Sequence, residues 1–160
     1  MKWTATIHTE PASKANSRQV TRSGQVIKSK KAQAYTKAVR TQLNNPVVWD
    51  RKLKAYVSNK DYDPGRPTLS LKPDELFTEK NLKVTMKVWY ASWRPDLDPS
   101  LLFDLLERHV YLNDRCCVEH HIIRMPKDAE NPRVEVTVEE IEVPWAHSGR
   151  KAQQKQKGGE

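Results

Sequence analysis

Two aspartates two residues apart, Asp96 and Asp98, stand between a run of alternating apolar residues and a Pro-led apolar segment; a third, Asp114, follows that segment. In extended chain, residues two apart project to the same side, so Asp96 and Asp98 would point together. Two like charges on one side repel unless a cation sits with them. Magnesium takes such a place, bound through one or two carboxylates, several waters and the phosphate oxygens of a substrate. Pro99 fixes φ for a first helical turn and makes Asp98 the natural N-cap. Capping alone therefore accounts for Asp98, but not for Asp96. Free N–H groups at the start of that helix also attract phosphate. Asp114 stands at the mouth of the next strand, where a return to the same end of the sheet is geometrically easy. The chemistry such a trio could support is metal-assisted attack on a phosphate.

The elements that must position these acids are legible as period-two and period-3.6 patterns. Residues 82–90 alternate, with Leu82, Val84, Met86, Val88 and Tyr90 on one side, and this strand feeds the acidic stretch. Residues 3–8 alternate with Trp3, Ala5 and Ile7 together, followed by a polar loop in which Lys14, Asn16, Ser17 and Arg18 suit phosphate oxygens. Residues 26–28 read as a short edge strand. Ser29 caps a helix to about Leu43 with Ala32, Tyr35, Val39 and Leu43 as its apolar stripe, leaving Lys30, Lys31, Lys37 and Arg40 for solvent or a phosphate backbone. In 44–81, four prolines interrupt every pattern, and Trp49, Tyr56 and Tyr62 are expected to anchor the segment to the core, with stacking on bases the alternative. The helix after Pro99 is apolar on most sides through Val110, so either the sheet and the 44–81 segment or a second subunit must cover it. Residues 116–125 form a strand, with 133–143 as its antiparallel partner and a bulge near Glu139 and Glu140. His120 and His121 fall on opposite strand faces as structural residues. The fold class is α+β: a single domain with a mixed or antiparallel sheet in β-α-β-α-β-β order and helices packed on it. The domain spans 1–143, with 44–81 insertion-like and 144–160 a disordered basic tail.

Charge narrows the partners. The chain of 160 residues carries a net +8. Nine Lys/Arg in 1–40 face Glu10 alone, and 149–160 is also basic, so the middle is mildly acidic. Basic arms around an acidic centre suit a polyanion presented to the acids. The two cysteines, Cys116 and Cys117, are adjacent and read as reduced; no zinc spacing exists. No apolar run approaches a membrane span and no signal segment opens the chain, so no membrane and a cytoplasmic location are expected.

A Lys14-x-Asn16-x-Arg18 loop after the first strand, Asp96-Leu97-Asp98 at a strand-to-helix junction, Asp104-Leu105-Leu106 in that helix, Leu112-Asn113-Asp114 after it, and Arg124-Met125-Pro126 closing the next strand resemble the RusA-type Holliday junction resolvases. The resemblance implies a small homodimeric, Mg2+-dependent endodeoxyribonuclease, with Mn2+ as a substitute, that resolves four-way junctions and other branched DNA by paired nicks in recombination and repair. It implies Asp96, Asp98 and Asp114 as catalytic, metal-binding acids. Lys14, Asn16, Arg18, Lys28, Lys30, Arg94, Arg115, Arg124 and Lys127 are expected on DNA. The family pattern Asp-x-Asp-Asn-x-x-Lys is altered here: Pro99 replaces the Asn and Leu102 stands at the Lys position, unless the alignment runs from Asp104, which puts Ser100 there. Asn113 replaces the first Asp of a usual pair. Arg94, Arg115 or an N-terminal-loop lysine are the candidates for the missing positive charge. The alternative is a catalytically weakened or inactive relative that binds branched DNA without cutting; a third reading is a protein-interaction module whose acids only cap a helix.

Overall fold

A computed structural model of the chain describes residues 1–14, 18–43, 47–50, 52–53, 55–58, 60, 68–78 and 81–143. Along it run β1 (Lys2–Ile7), β2 (Arg18–Val20), β3 (Val26–Lys28), α1 (Lys30–Leu43), β4 (Val47–Asp50), β5 (Ala55–Ser58), β6 (Leu82–Trp89), α2 (Ser100–Leu106), β7 (Cys117–Arg124) and β8 (Arg133–Glu140). The fold is α+β, with a mixed four-stranded sheet ordered β1-β8-β6-β7 and two separate hairpins, β2-β3 and β4-β5.

The alternation predicted for the strands makes the sheet one-sided. Trp3, Ala5 and Ile7, Leu82, Val84, Met86 and Val88, and Val134, Val136 and Val138 are buried in one core with the helices. On the other face Lys83 lies between Glu119 and Glu139 at 3.8 and 3.7 Å. One packed and one solvated face is the usual state of a largely antiparallel sheet. From α1, Ala32, Tyr35, Val39 and Leu43 enter the core as the apolar stripe requires.

Two expectations about pairing are corrected. β8 pairs antiparallel with β6 and β1, not with β7. The 126–132 loop is long enough to cross the end of β6, where Asp128 N–H donates to the Tyr90 carbonyl at 2.8 Å. Among the described residues β7 therefore pairs with β6 alone, and parallel. The register through Glu139 and Glu140 is regular, and the irregularity falls instead between Leu82 and Lys83 where they meet β7. Residues 26–28 do form the expected short strand, hydrogen-bonded to β2 in a two-stranded hairpin separate from the main sheet.

Two more concern the segments around α2. Within 44–81, β4 and β5 form a hairpin where no element was expected. The side chains of Trp49 and Tyr56, residue Tyr62 and the 144–160 tail lie outside what is described. α2 ends at Leu106, because Glu107 leaves helical geometry and Arg108 takes φ 68°. Val110 and Tyr111 still fill the core, from a turn bridged to Phe77. The chain's own residues bury Leu101, Leu102, Phe103, Leu105 and Leu106, so the apolarity of this helix does not call for a second subunit.

Candidate active site

The strand registers bring three loops to one end of the sheet. Ile7 pairs with Val134, Val134 with Val88, and Val88 with Arg124, so the exits of β1, β6 and β7 lie side by side. The exits of β1 and β6 lead to residues 8–14 and 90–99, the loops that carry Ser13 and the two aspartates.

Asp98 is held from two directions. Its Oδ1 accepts the Ser100 backbone N–H at 3.0 Å and its Oδ2 accepts the Ser13 hydroxyl at 2.6 Å. The helix starts one residue later than expected, with Pro99 flanking it, yet Asp98 still satisfies a first-turn donor. Asp96 is fixed through its backbone: its carbonyl accepts the Tyr90 hydroxyl at 2.9 Å and the Asp98 N–H at 2.9 Å. Burial raises the Tyr90 phenol, which keeps it a donor. The Asp96 side chain is exposed, and its carboxylate has no hydrogen bond or ion pair among the described residues.

Arg124 braces this loop from β7. Its guanidinium donates to the Pro95 carbonyl and lies 4.9 Å from the Tyr90 ring centroid and 5.9 Å from that of Trp93. The group expected on DNA is thus engaged with the protein's own loop, since β7 ends directly beneath it. Trp93, in contrast, is 60% exposed.

Beside the loop opens a cleft of about 270 Å³, lined by residues 11–13, Ser29, Lys31 and residues 94–96. Arg94 and Lys31 both border it with Asp96. Ser29 was expected only as a cap, which it is: its hydroxyl accepts the Ala32 N–H at 3.2 Å. Lys28 and Lys30 flank it in sequence and are exposed, and Lys127 is exposed just beyond the end of β7. Lys14 pairs with Asp104 at 2.8 Å. Asn16 and the Arg18 side chain lie outside the described residues. Ser13 has no expected role in the sequence, whereas Lys31 is one of the α1 cations expected on solvent or a phosphate backbone, and the structure puts it at the cleft. A hydroxyl's partner 85 residues away has no local signature.

Asp114 lies elsewhere within this chain. Because β7 runs parallel to β6, its entry is beside Leu82, which pairs with Cys117, whereas Asp96 and Asp98 follow the exit of β6. Six residues of strand, about 20 Å at roughly 3.3 Å each, separate the two ends. The expected easy return of Asp114 to the same end fails for that reason: parallel neighbours begin together. Arg115 shares the 3-10 turn with Asp114 and is exposed at the far end. Burial and the nearby Cys116 and Asp114 push the Cys117 thiol up to about 12. Among the described residues no group of three or more His, Cys, Asp or Glu is placed to hold a metal.

Fold and site together define a small α+β domain in which exposed Asp96 and two cations, Arg94 and Lys31, border one cleft beside Asp98 at an end of a mixed sheet, an arrangement suited to a phosphate. The chain belongs to the endodeoxyribonuclease RusA family, whose model matches residues 8–139. It is thus in a family of Holliday junction resolvases that hydrolyse phosphodiester bonds and typically depend on Mg2+. Among curated proteins none matches the chain. No helix of the described residues is long and apolar enough to cross a membrane.

The donor set suits magnesium in one of its usual forms. Asp96 offers an uncommitted carboxylate and Asp98 an oriented one. An ion held by one or two carboxylates takes its other ligands from water and substrate phosphate, and needs no cage of protein groups.

Proposed function

We propose that this protein is a Mg2+-dependent endodeoxyribonuclease that nicks four-way DNA junctions in pairs as a homodimer, in recombination and repair. The observation that carries the reading is the convergence of Asp96, Arg94 and Lys31 on one cleft next to the Asp98 that Ser13 holds, in a chain of the RusA family. Asp96 and Asp98 would hold the metal. When bound, it would polarise the scissile phosphate and lower the pKa of a bound water. The hydrolysis forms one P–O bond from water and breaks the bond to the leaving 3′ oxygen. The chain's own part is orientation. Ser13 and the Ser100 N–H fix the Asp98 carboxylate, Tyr90 and Arg124 fix the loop that carries Asp96, and the exposed cations Lys28, Lys30 and Lys127 gather the DNA backbone.

A dimer also offers a source for the third acid. Asp114 of one chain lies at the opposite end of the sheet from Asp96, so the same site can include it only as Asp114 of the partner subunit. A two-fold axis would make two such sites, matching the approximate symmetry of a junction.

The test is cleavage of a synthetic four-way junction with and without Mg2+. Paired nicks that need the ion and vanish in Asp96→Asn and Asp98→Asn, with junction binding retained, are the expected result. Cutting that survives both substitutions would end the proposal. One observation favours the second reading, a relative that binds without cutting: α2 carries no basic residue, and Leu102 is wholly buried. Salt-sensitive junction binding with no product in Mg2+ or Mn2+ would select it.

A further inference from the structure

A phosphate brought to Asp96 meets a carboxylate before it meets a metal, and needs compensating positive charge from the protein. α2, whose sequence is SLLFDLL, supplies none. Of the cations near this end, Lys14 is paired with Asp104 and Arg124 is drawn into the Pro95 carbonyl and the Tyr90 ring. Lys31 and Arg94 are different. Both side chains are exposed, both border the cleft that holds Asp96, and neither has an ion pair among the described residues.

We propose that Lys31, reaching in from α1, is the phosphate-binding catalytic residue of this site, with Arg94, which borders the same cleft, as its companion on the phosphate. The inference rests on the nuclease reading and names the group that neutralises the scissile phosphate. Its physical basis is position. Ser29 fixes the first turn of α1 by accepting the Ala32 N–H, and one turn further on Tyr35 and Thr36 are buried, so the helix cannot roll without exposing its core face. The ammonium therefore leaves a rigid base. Its four-carbon stem allows a point charge to follow the phosphate as charge develops. Arg94, on the same loop as Asp96, offers a planar fork suited to the non-bridging oxygens.

The distinction from a surface lysine that merely attracts DNA is one of rate against affinity. A group that only gathers the backbone lowers binding when removed; one that stabilises charge on the reacting phosphate lowers the chemical step at saturation. The cleft position predicts the second, with a small effect on the first.

The experiment compares Lys31→Ala, Lys31→Arg and Lys37→Ala in the full chain. Lys37 is exposed on the same helix and does not line the cleft. Junction affinity is measured without divalent ion across a salt series, and single-turnover cleavage in Mg2+ at saturating protein. Lys31→Ala is expected to slow cleavage tenfold or more, to weaken binding only a few fold and to reduce the salt slope by about one phosphate contact. Lys31→Arg should recover most of the rate, and Lys37→Ala should change neither quantity. Unchanged urea midpoints separate these effects from unfolding. Wild-type cleavage by Lys31→Ala overturns the inference, as does an equal loss in Lys37→Ala. Should the parent chain not cut at all, the nuclease reading fails by itself and the binding arm still decides: an unaltered salt slope in Lys31→Ala removes Lys31 from the phosphate, and a slope reduced by about one keeps it there.

Discussion

The Ser13 hydroxyl donates a 2.6 Å hydrogen bond to the Asp98 carboxylate across 85 positions of sequence. It joins the loop leaving β1 to the loop leaving β6, strands that do not touch in the sheet because β8 lies between them. The acid's orientation therefore depends on a residue that contributes no charge of its own. Removing such a supporting partner commonly costs 10–100-fold in metal affinity or activity. Ser13→Ala should lower Mg2+-dependent cleavage on the order of tenfold and raise the Mg2+ concentration needed for half-maximal rate, while junction binding stays near the parent value. Ser13→Thr should keep the rate. A Ser13→Ala enzyme with an unchanged Mg2+ titration would show that the bond does not orient the acid.

Placement of Asp114 at the opposite end of the sheet gives a test by subunit mixing. If the chain forms the proposed homodimer, Asp96→Asn and Asp114→Asn should each be inactive when prepared separately. If sites are shared across the two-fold axis, mixing them yields heterodimers with one intact site and one doubly defective site. Those should nick a junction once and fail to resolve it. If each chain builds its own site, every site in the mixture lacks an acid and no nicks appear, which would remove the cross-subunit arrangement.

Arg124 should behave as a brace rather than as a DNA contact. Arg124→Met gives up a cation–π arrangement and a hydrogen bond to Pro95, together on the order of 1–3 kcal/mol of stability, and should slow cleavage by loosening the Asp96 loop. The slope of junction affinity against salt should stay the same, since no phosphate contact is lost. A slope reduced by one unit, with an unchanged urea midpoint, would instead place Arg124 on the DNA.

His109 gives the fold a pH dependence. Burial, with Arg40 nearby, pushes its imidazole down to about 4, below the 6.5 of an ordinary histidine, and its Nδ1 lies 3.0 Å from the Ser70 hydroxyl. The unfolded chain therefore takes the proton first. This contribution to stability is complete above about pH 6.5 and is lost as pH falls from there toward 4, at up to about 1.4 kcal/mol per pH unit. Urea midpoints measured between pH 7 and pH 5 should fall more steeply for the parent than for His109→Gln. Parallel slopes would show that His109 titrates normally in the fold.

Much of the architecture was legible because burial imposes a period. Trp3, Ala5 and Ile7, the alternation from Leu82 to Val88, and the stripe of Ala32, Tyr35, Val39 and Leu43 each announced one face, and each is the buried face. Partners were less legible. A strand's side-chain pattern records which face is covered, not which neighbour completes its hydrogen bonds, so β8 fitted β7 as well on paper as it fits β6 and β1. The 44–81 segment was opaque because its prolines hide short strands, and the end of α2 was opaque because Val110 and Tyr111 remain buried after the helix has stopped.

For the site, local sequence determined the chemical types: two aspartates at a strand-to-helix junction, and a Pro that starts the helix behind them. Those depend on residues within a few positions of each other. Tertiary structure decided that Lys31 joins Arg94, already offered by the sequence, beside Asp96, and where Asp114 goes. Both follow from strand direction, since a parallel β6–β7 pair sends Asp114 to one end of the sheet and the Asp96 loop to the other. The loop after β1 and the start of α1 supply Ser13 and Lys31 from distant stretches of sequence. No spacing along a chain encodes a meeting that only the closing of the sheet brings about.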